Sequence, residues 1–418
     1  MDAARGAIVA AGLATPGAGA PARGAGLAAR ELAGPVAVAW RDGVVTFVGA
    51  AEDLPRDAGE PVGTPAQGLL TPGFVDPHVH LPFIGWRADE FEARLAGRSY
   101  RELHGSEGGI FRSARMLADA RDEDVLAFST ALAADMLATG TTTLELKTGY
   151  GLSVDAELRQ ARLARALAGR VAQTCRVTLL ACHAVPHDVE RAAWVAAACD
   201  ELIPAAAADG LADQVDVYIE DIAFDLDDLA RVAEAGAAAG LPLRVHADQL
   251  GNTGATAAAV RLGARSADHL NRCDAEGVAA LGRAPATVAV LLPASTFFLR
   301  GAAPPVDALR AAGAAIALGT DLNPGTSPVS SMPEAIAIAC AAYGLAPLEA
   351  LTASTRNAAW VLGLDDAHGV LAPGFRADVL LLDVPSFAHV PYRPGRNPVA
   401  AAIVGGELVA GDPARVGR

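Results

Sequence analysis

Two histidines that stand two residues apart, His78 and His80, carry the clearest chemical signal in this sequence. They follow an apolar run at residues 69–75 that predicts a short buried strand. Because successive side chains of a strand alternate between its faces, both imidazoles leave the same face. Such a pair can bind one divalent cation at about 2.0–2.2 Å when the fold supplies further ligands. The spacing therefore indicates a metal site, with a solvent-facing pair as the alternative.

Further polar residues end the strand-like runs that follow along the chain. They are Lys147, His183, Glu220, His246, His269, Ser295 and Asp321. If these runs are parallel strands of one barrel, their carboxyl ends meet at one mouth. His78, His80, His246 and Asp321 then form the predicted ligand set. Three imidazoles and one carboxylate suit one divalent or trivalent ion, zinc or iron, and leave a position for water.

This ligand set predicts a hydrolytic reaction. A bound metal ion lowers the pKa of its water towards ~7, which supplies hydroxide near neutral pH. Asp321 is predicted to accept the proton of that water and to return it to a leaving nitrogen. His183 and His269, outside the ligand set, are predicted to polarise the substrate carbonyl and to hold the developing oxyanion.

A two-metal site is the competing interpretation. Related barrels can bridge two ions with a carboxylated lysine on the fourth strand, but the predicted fourth strand, 215–220, has no lysine. Lys147, which ends the second strand, is the only lysine among the 33 basic residues. One metal ion is therefore favoured, with Glu220 as the residue that keeps a second one open. The retained lysine indicates a role that the wider arginine fork cannot fill, unless it survives by chance.

The elements that must position these residues predict an α/β chain. From residue 69 onward, eight strand-like runs alternate with alanine-rich helical segments, which is typical of a (β/α)8 TIM-type barrel. We expect the barrel over 69–365. Residues 1–68 and 366–418 contain β hairpin signals such as Asp42-Gly43, and we expect them to form one small β-sandwich domain from both chain ends. The Ala/Gly-rich segment 11–33 is predicted to be a loose loop.

Composition narrows the class of protein. The 418 residues are 52% hydrophobic and carry a net charge of −15 without a basic cluster, which argues against nucleic acid and anionic membranes as partners. No window reaches the ~20 apolar residues of a membrane helix. Five cysteines without a C-x-x-C pair favour reduced thiols. We expect a cytoplasmic protein that acts on a small molecule, with a homodimer left open.

Seven motifs resemble the amidohydrolase superfamily and, within it, the imidazolonepropionase family of histidine degradation. They cover most of the chain from about residue 68: 72–81 (PGFVDPHVHL), 145–152 (ELKTGYGL), 183–186 (HAVP), 246–249 (HADQ), 266–270 (SADHL), 320–328 (TDLNPGTSP) and 391–399 (PYRPGRNPV). The resemblance implies the same metal ligands and a catalytic His269. It implies that substrate contacts Arg87, Tyr100, Tyr150, His183, Gln249, Asn323, Gly325 and Thr326.

The implied reaction opens the ring of 4-imidazolone-5-propanoate to N-formimidoyl-L-glutamate, with metal-activated water attacking the ring carbonyl carbon. Arg87 offers a two-pronged donor to the substrate carboxylate. Gln249 stands where deaminases of the superfamily carry a proton-shuttling glutamate, and a glutamine cannot carry that proton at neutral pH. Two alternatives remain: another cyclic-amide amidohydrolase or aminohydrolase, and a barrel that binds a metal or small molecule without turnover.

Overall fold

The computed structural model describes residues 5–64, 67–99, 102–103 and 108–417. These residues contain sixteen strands: β1 (Arg5–Thr15), β2 (Arg30–Arg41), β3 (Val44–Ala50), β4 (Pro61–Gly63), β5 (Leu69–Pro72), β6 (Phe74–Asp76), β7 (Thr141–Lys147), β8 (Thr174–Cys182), β9 (Gln214–Ile219), β10 (Leu243–Ala247), β11 (Ser266–His269), β12 (Val288–Leu291), β13 (Ile316–Leu318), β14 (Val379–Leu382), β15 (Val399–Val404) and β16 (Glu407–Gly411). They form two separate eight-stranded sheets.

Strands β6 to β13 pair in chain order and in parallel, as the barrel prediction requires. The seam between the first and last strands is closed just beyond their ends, by a parallel bridge between Val79 and Leu322. Across it, the His80 N–H donates to Leu322 O at 2.9 Å, and the Asp321 N–H donates to His78 O at 3.0 Å. The seam therefore brings together residues about 240 positions apart.

The second sheet is built from both chain ends, as predicted, in the order β16-β15-β14-β5-β1-β2-β3 with β4 paired to β1. The predicted hairpin at Asp42-Gly43 is confirmed, with both residues at positive φ. The prediction of a loose loop over 11–33 is wrong at both ends of that segment, because β1 continues to Thr15 and β2 begins at Arg30. A second departure is that Ser295 ends no strand, because Pro293 begins a helix after β12.

The predicted single strand at 69–75 is also wrong. Residues Leu69–Pro72 pair with β14 and β1 in the end sheet, whereas Phe74–Asp76 pairs with β7 in the barrel. The change of sheet occurs at Gly73, whose N–H donates to Asp378 O at 2.9 Å. A Cβ at Gly73 would lie 2.0 Å from the Thr142 hydroxyl, so only glycine fits there. The domain bounds 1–68, 69–365 and 366–418 stay a prediction.

Helices follow the barrel strands as expected. The described α-helices are Ala88–Leu95, Gly109–Asp119, Asp122–Ala138, Val154–Ala168, Arg191–Ala197, Ile203–Ala208, Leu226–Ala238, Ala255–Arg261, Ala275–Arg283, Pro293–Leu299, Val306–Ala311, Met332–Tyr343, Pro347–Ala353, Arg356–Val361 and His389–Tyr392. Ser153 and Asp225 each cap a helix by accepting a hydrogen bond from its first turn. Within the described residues, none of the helices has the length and apolar character that spanning a membrane requires.

Candidate metal centre

Three buried histidines meet at the carboxyl end of the barrel. A ligand nitrogen from each of His78, His80 and His246 lies within 4.8 Å of the others. Neither His78 Nε2 nor His246 Nε2 has a hydrogen-bond partner, although both are buried. A buried polar atom without a partner is costly, unless it faces a ligand. These nitrogens therefore have the placement that a metal ion would satisfy.

An aspartate lies close to the Nδ1 atom of two of these imidazoles. His78 Nδ1 lies 2.7 Å from Asp268 Oδ2, and His246 Nδ1 lies 3.0 Å from Asp216 Oδ2. A neutral imidazole that donates from Nδ1 to a carboxylate presents the lone pair of Nε2 on its other side. Burial lowers the pKa of His78 well below its ordinary value and also lowers that of His80. The rings of His78 and His80 are thus held in the neutral form that binds metal ions.

Asp321 completes the group from the other side of the barrel seam. Its Oδ1 lies 3.3 Å from His80 Nε2 and 3.6 Å from His78 Nε2. Burial opposes ionisation of this carboxyl, but the hydrogen bond with His80 and the nearby His269 lower its pKa overall. Asp321 has a φ of 55°, and His269 has a φ of 77°. Non-glycine residues in this region cost roughly 1–3 kcal/mol each, a strain that concentrates at functional sites.

A small polar cavity opens above the histidines. Its lining includes most of the predicted site residues: His80, Arg87, Tyr150, His183, His246, Gln249, His269, Asp321, Asn323 and Thr326. His78 lies below the cavity as a fully buried residue. Tyr100 lies outside the described residues.

Arg87 is buried at one side of this cavity. Its Nε donates to Glu90 Oε2 at 3.0 Å, and its Nη1 donates to the Ser113 hydroxyl. A Cβ on Gly325 would lie 1.9 Å from the guanidinium, so the absence of a side chain there gives Arg87 its space. Gly325 thus lies behind Arg87 rather than on the cavity wall.

Asn323 has a second role beside the cavity. Its Nδ2 donates to Asp321 O at 2.7 Å, while its Oδ1 accepts from Gly325 N and from both the backbone and hydroxyl of Thr326. These bonds fix the loop that follows the last barrel strand. Because its amide is engaged in this way, Asn323 acts on the cavity by holding Asp321 and Thr326 in place.

Gly149 provides both a hydrogen-bond acceptor and space for His183. His183 Nδ1 lies 3.0 Å from Gly149 O, so its Nδ1–H donates to that carbonyl and its Nε2 is left on the opposite edge of the ring. Gly149 has a φ of 110°, and a Cβ there would lie 2.7 Å from His183 Nδ1. The two rings of His183 and Tyr150 have centroids 5.5 Å apart.

Glu220, which kept a second metal ion open, is engaged elsewhere. Its carboxylate accepts from the Leu250 N–H at 2.6 Å and the Gly251 N–H at 3.2 Å. Among the described residues, the three histidines form the only cluster of metal-type ligands. The geometry favours one ion.

The sequence did not predict two of the residues that line the cavity, Tyr218 and Ile110. It also did not predict the charged residues below the cavity, Glu145, Asp216 and Asp268 among them. Several of them could have been predicted, because every second residue of a strand points to the same face. Asp216, Tyr218 and Glu220 share one face of the fourth strand in this way. Ile110 lies on the helix Gly109–Asp119, where no motif had indicated a functional site.

Comparison with known proteins agrees with this geometry. The amidohydrolase family model matches residues 69–409. The chain is 43% identical over 396 residues to an imidazolonepropionase of Rubrobacter xylanophilus, covering 93% of this chain and 94% of that protein. It is 44% identical over 378 residues to an imidazolonepropionase of Cupriavidus pinatubonensis, covering 89% of each.

Solved structures show the same fold at low sequence identity. A 5-methylcytosine deaminase from Klebsiella pneumoniae superposes with a TM-score of 0.72 at 16% identity, covering 97% of both chains. An adenosine deaminase from Xanthomonas campestris with bound zinc superposes with a TM-score of 0.69 at 19% identity, covering 97% of this chain and 93% of that one. At such identities the likeness extends to the fold alone.

Proposed function

Because this chain belongs to the amidohydrolase family, we propose that it is a metal-dependent hydrolase that opens the ring of 4-imidazolone-5-propanoate. Water adds to the ring carbonyl carbon, and the bond from that carbon to the ring nitrogen breaks. The carbon becomes a carboxylate, and the nitrogen takes up a proton and becomes the end of the formimidoyl group. The product is N-formimidoyl-L-glutamate. The relatives of this chain, which bear the name of that activity, support the choice of substrate.

The observation that carries the proposal is the pair of buried, unpartnered Nε2 atoms on His78 and His246, which lie beside His80 and Asp321. His78, His80, His246 and Asp321 would hold one zinc or iron ion. When bound, the ion would polarise water and the substrate carbonyl. We propose a cytoplasmic location for the protein.

The chain's own residues bind and orient the substrate. Arg87 keeps further guanidinium donors besides the two engaged by Glu90 and Ser113, and these suit the substrate's propanoate carboxylate. Tyr150 and Gln249 line the same cavity and offer hydrogen bonds to the ring. The propanoate tail does not react, so its contacts serve to position the carbonyl.

Proton transfer is assigned to Asp321, whose lowered pKa keeps it ionised and ready to accept a proton from the attacking water. It then returns that proton to the leaving nitrogen. His269 lies beside the group, with ring centroids 5.4 Å from His78 and 5.3 Å from His246. From this position it stabilises the oxyanion that forms at the carbonyl. His183 faces the same cavity and assists in polarising the carbonyl.

The test is an activity assay with the purified protein beside elemental analysis. We expect the absorbance of the imidazolone to decay faster than its spontaneous rate, with about one metal ion per chain. Replacing His269 with alanine should lower kcat by about two to three orders of magnitude, as loss of an oxyanion donor does, without loss of metal. Decay at the spontaneous rate only would reject this substrate and favour another cyclic amide of the superfamily. A wild-type protein that binds metal but turns over no cyclic amide would favour a binding barrel.

A further inference from the structure

A closed cluster of charged side chains lies directly below the three histidines, and the proposed reaction does not use it. We call it the basal charge cluster. It consists of Glu145, Lys147, Asp216, Arg244 and Asp268, and the side chain of every member is fully buried. Buried ionised groups are costly unless each is paired, so such a cluster needs a reason to persist.

The basal charge cluster joins the two histidine partners to each other. Arg244 donates to Asp268 Oδ2 at 2.6 Å and also to Glu145. Lys147 Nζ donates to Glu145 Oε1 at 3.0 Å and to Asp216 Oδ2 at 2.6 Å. The chain of contacts therefore runs from Asp268, the partner of His78, to Asp216, the partner of His246. Each link joins opposite charges.

Within this chain of contacts, Lys147 has the position with the least space for another side chain. Its ammonium fits between Glu145 and Asp216 with no exposure to solvent. The backbone N–H of Lys147 donates to the carbonyl of Val79, the residue between His78 and His80, at 2.9 Å. One residue thus contacts both histidine-bearing parts of the centre. A guanidinium is wider and planar, and it would not fit where a compact ammonium binds two carboxylates.

Asp216 needs such a partner because the same oxygen serves two neighbours. Its Oδ2 accepts from Lys147 Nζ at 2.6 Å and lies 3.0 Å from His246 Nδ1. Its Oδ1 accepts from the Val217 N–H at 2.7 Å. Loss of Lys147 would leave a buried carboxylate facing His246 without its cation.

We propose that Lys147 is a positioning residue of the metal centre, which holds Asp216 against His246 and thereby sets how tightly the centre binds its ion. This inference rests on the metal site of the proposed function. It accounts for the one lysine in a chain whose other 32 basic residues are arginines.

The first test compares the zinc affinity of wild-type protein and Lys147→Met by competition with a chromophoric chelator, and the visible spectrum of each protein loaded with cobalt. Loss of a group that orients a metal-binding histidine typically costs 10- to 100-fold in metal affinity. We expect a loss in that range for Lys147→Met, with an altered cobalt spectrum. Wild-type zinc affinity in this variant would overturn the inference and leave the proposed function standing.

A second variant separates positioning from stability. Lys147→Met/Asp216→Asn removes one cation and one carboxylate together, so no unpaired charge remains from that pair. We expect its melting temperature to exceed that of Lys147→Met while its zinc affinity stays low. Zinc affinity that returns to the wild-type value in the double variant would overturn the inference. The double variant also carries the test if Lys147→Met does not fold.

Asn357→Ala is the matched control. It removes buried hydrogen bonds to Ala22 and Ile316, and these bonds involve none of the four proposed ligands. We expect a lower melting temperature with unchanged zinc affinity, and a similar fall in zinc affinity here would overturn the positioning role. A wild-type protein that binds no zinc would overturn this inference and the proposed function together, which distinguishes that failure from the others.

Discussion

His269 shows how a single buried residue can make the fold depend on pH. Burial lowers its pKa from 6.5 to about 3. Between these values the unfolded chain binds a proton that the folded chain does not, so the free energy of unfolding falls as the pH drops below about 6.5. The site is thus built around a neutral imidazole at physiological pH.

We therefore predict that metal-free wild-type protein loses about 1 kcal/mol more unfolding free energy than His269→Asn between pH 7 and pH 5.5, because asparagine does not titrate there. Urea unfolding at the two pH values measures the difference. His78 and His80 titrate in both proteins, so their effect cancels in the comparison. Equal losses of unfolding free energy in the two proteins would show that the folded protein does not lower the pKa of His269.

Gly325 is the second residue whose role is specific to this site. A Cβ there would overlap the Arg87 guanidinium at 1.9 Å. We predict that Gly325→Ala displaces Arg87 and raises KM about 10- to 100-fold, as expected for ~1.5–3 kcal/mol lost from a hydrogen bond to a charged group. The effect on kcat should be smaller, because the carboxylate tail does not react.

Steady-state kinetics of Gly325→Ala beside Arg87→Ala provide the measurement. Gly301→Ala is the control, since the nearest atom to its new Cβ would lie 3.8 Å away, an ordinary contact. If the kinetics of Gly325→Ala match those of the control, Gly325 does not have the role of leaving space for Arg87, which we call its clearance role.

At the scale of single residues, the sequence predicted most of the cavity because metal-binding and hydrogen-bonding side chains are distinctive. His80, His183, His246, His269 and Asp321 all line it. The clearance role of Gly325 could not be predicted, because it depends on the position of a guanidinium 238 residues away in the sequence.

At the scale of elements, the loop after the second barrel strand is held by one carboxylate. Glu157 accepts N–H groups from Gly149 at 3.0 Å, Gly151 at 2.7 Å and Leu152 at 3.0 Å. The Tyr150 N–H donates to Gln160 at 2.9 Å. The first turns of one helix therefore fix a loop that carries Tyr150 and the carbonyl acceptor of His183.

We predict that Glu157→Gln loosens this loop, because its amide nitrogen would face N–H donors that now meet an oxygen. KM should rise and kcat should fall together, since Tyr150 and His183 both lose their support. Hydrogen exchange at the backbone amides of residues 149–152 should accelerate in the same variant that shows the altered KM and kcat. Glu201→Gln, at an exposed glutamate, is the control. Unchanged exchange in Glu157→Gln would reject the role.

Element boundaries were predicted less well than element types. The strand run at 69–75 is apolar throughout, so periodicity could not show that it serves two sheets. The break at Gly73 arises from the close approach of Thr142, which is a tertiary contact. The segment 11–33 has little hydrophobic pattern, yet β1 and β2 extend into it because each completes the other's ladder.

For the molecule as a whole, contacts distant in sequence tie the chain ends to the barrel. The Asn357 amide accepts from the Ala22 N–H at 2.8 Å and donates to Ala22 O at 3.0 Å. Arg356 donates to the carbonyls of Gly17 and Ala20. These pairs explain why segment 11–33 is ordered although its composition predicts a loop. Sequence alone does not reveal partners more than 330 residues away.

The proposed metal ion would couple the two ends of the barrel seam, because His78 and His80 follow its first strand and Asp321 follows its last. An ion that binds only the folded chain adds about 2.7 kcal/mol of stability at 100 times its dissociation constant. We predict that zinc raises the melting temperature of the chelator-treated protein by about 3 °C, and that EDTA reverses the rise. His246→Ala should show no such rise, because one of the three converging imidazoles is missing. Thermal melts of both proteins with zinc, with EDTA and with magnesium as a control ion measure this. An equal rise in His246→Ala would mean that zinc stabilises the protein from another site and that the seam is not where the ion acts.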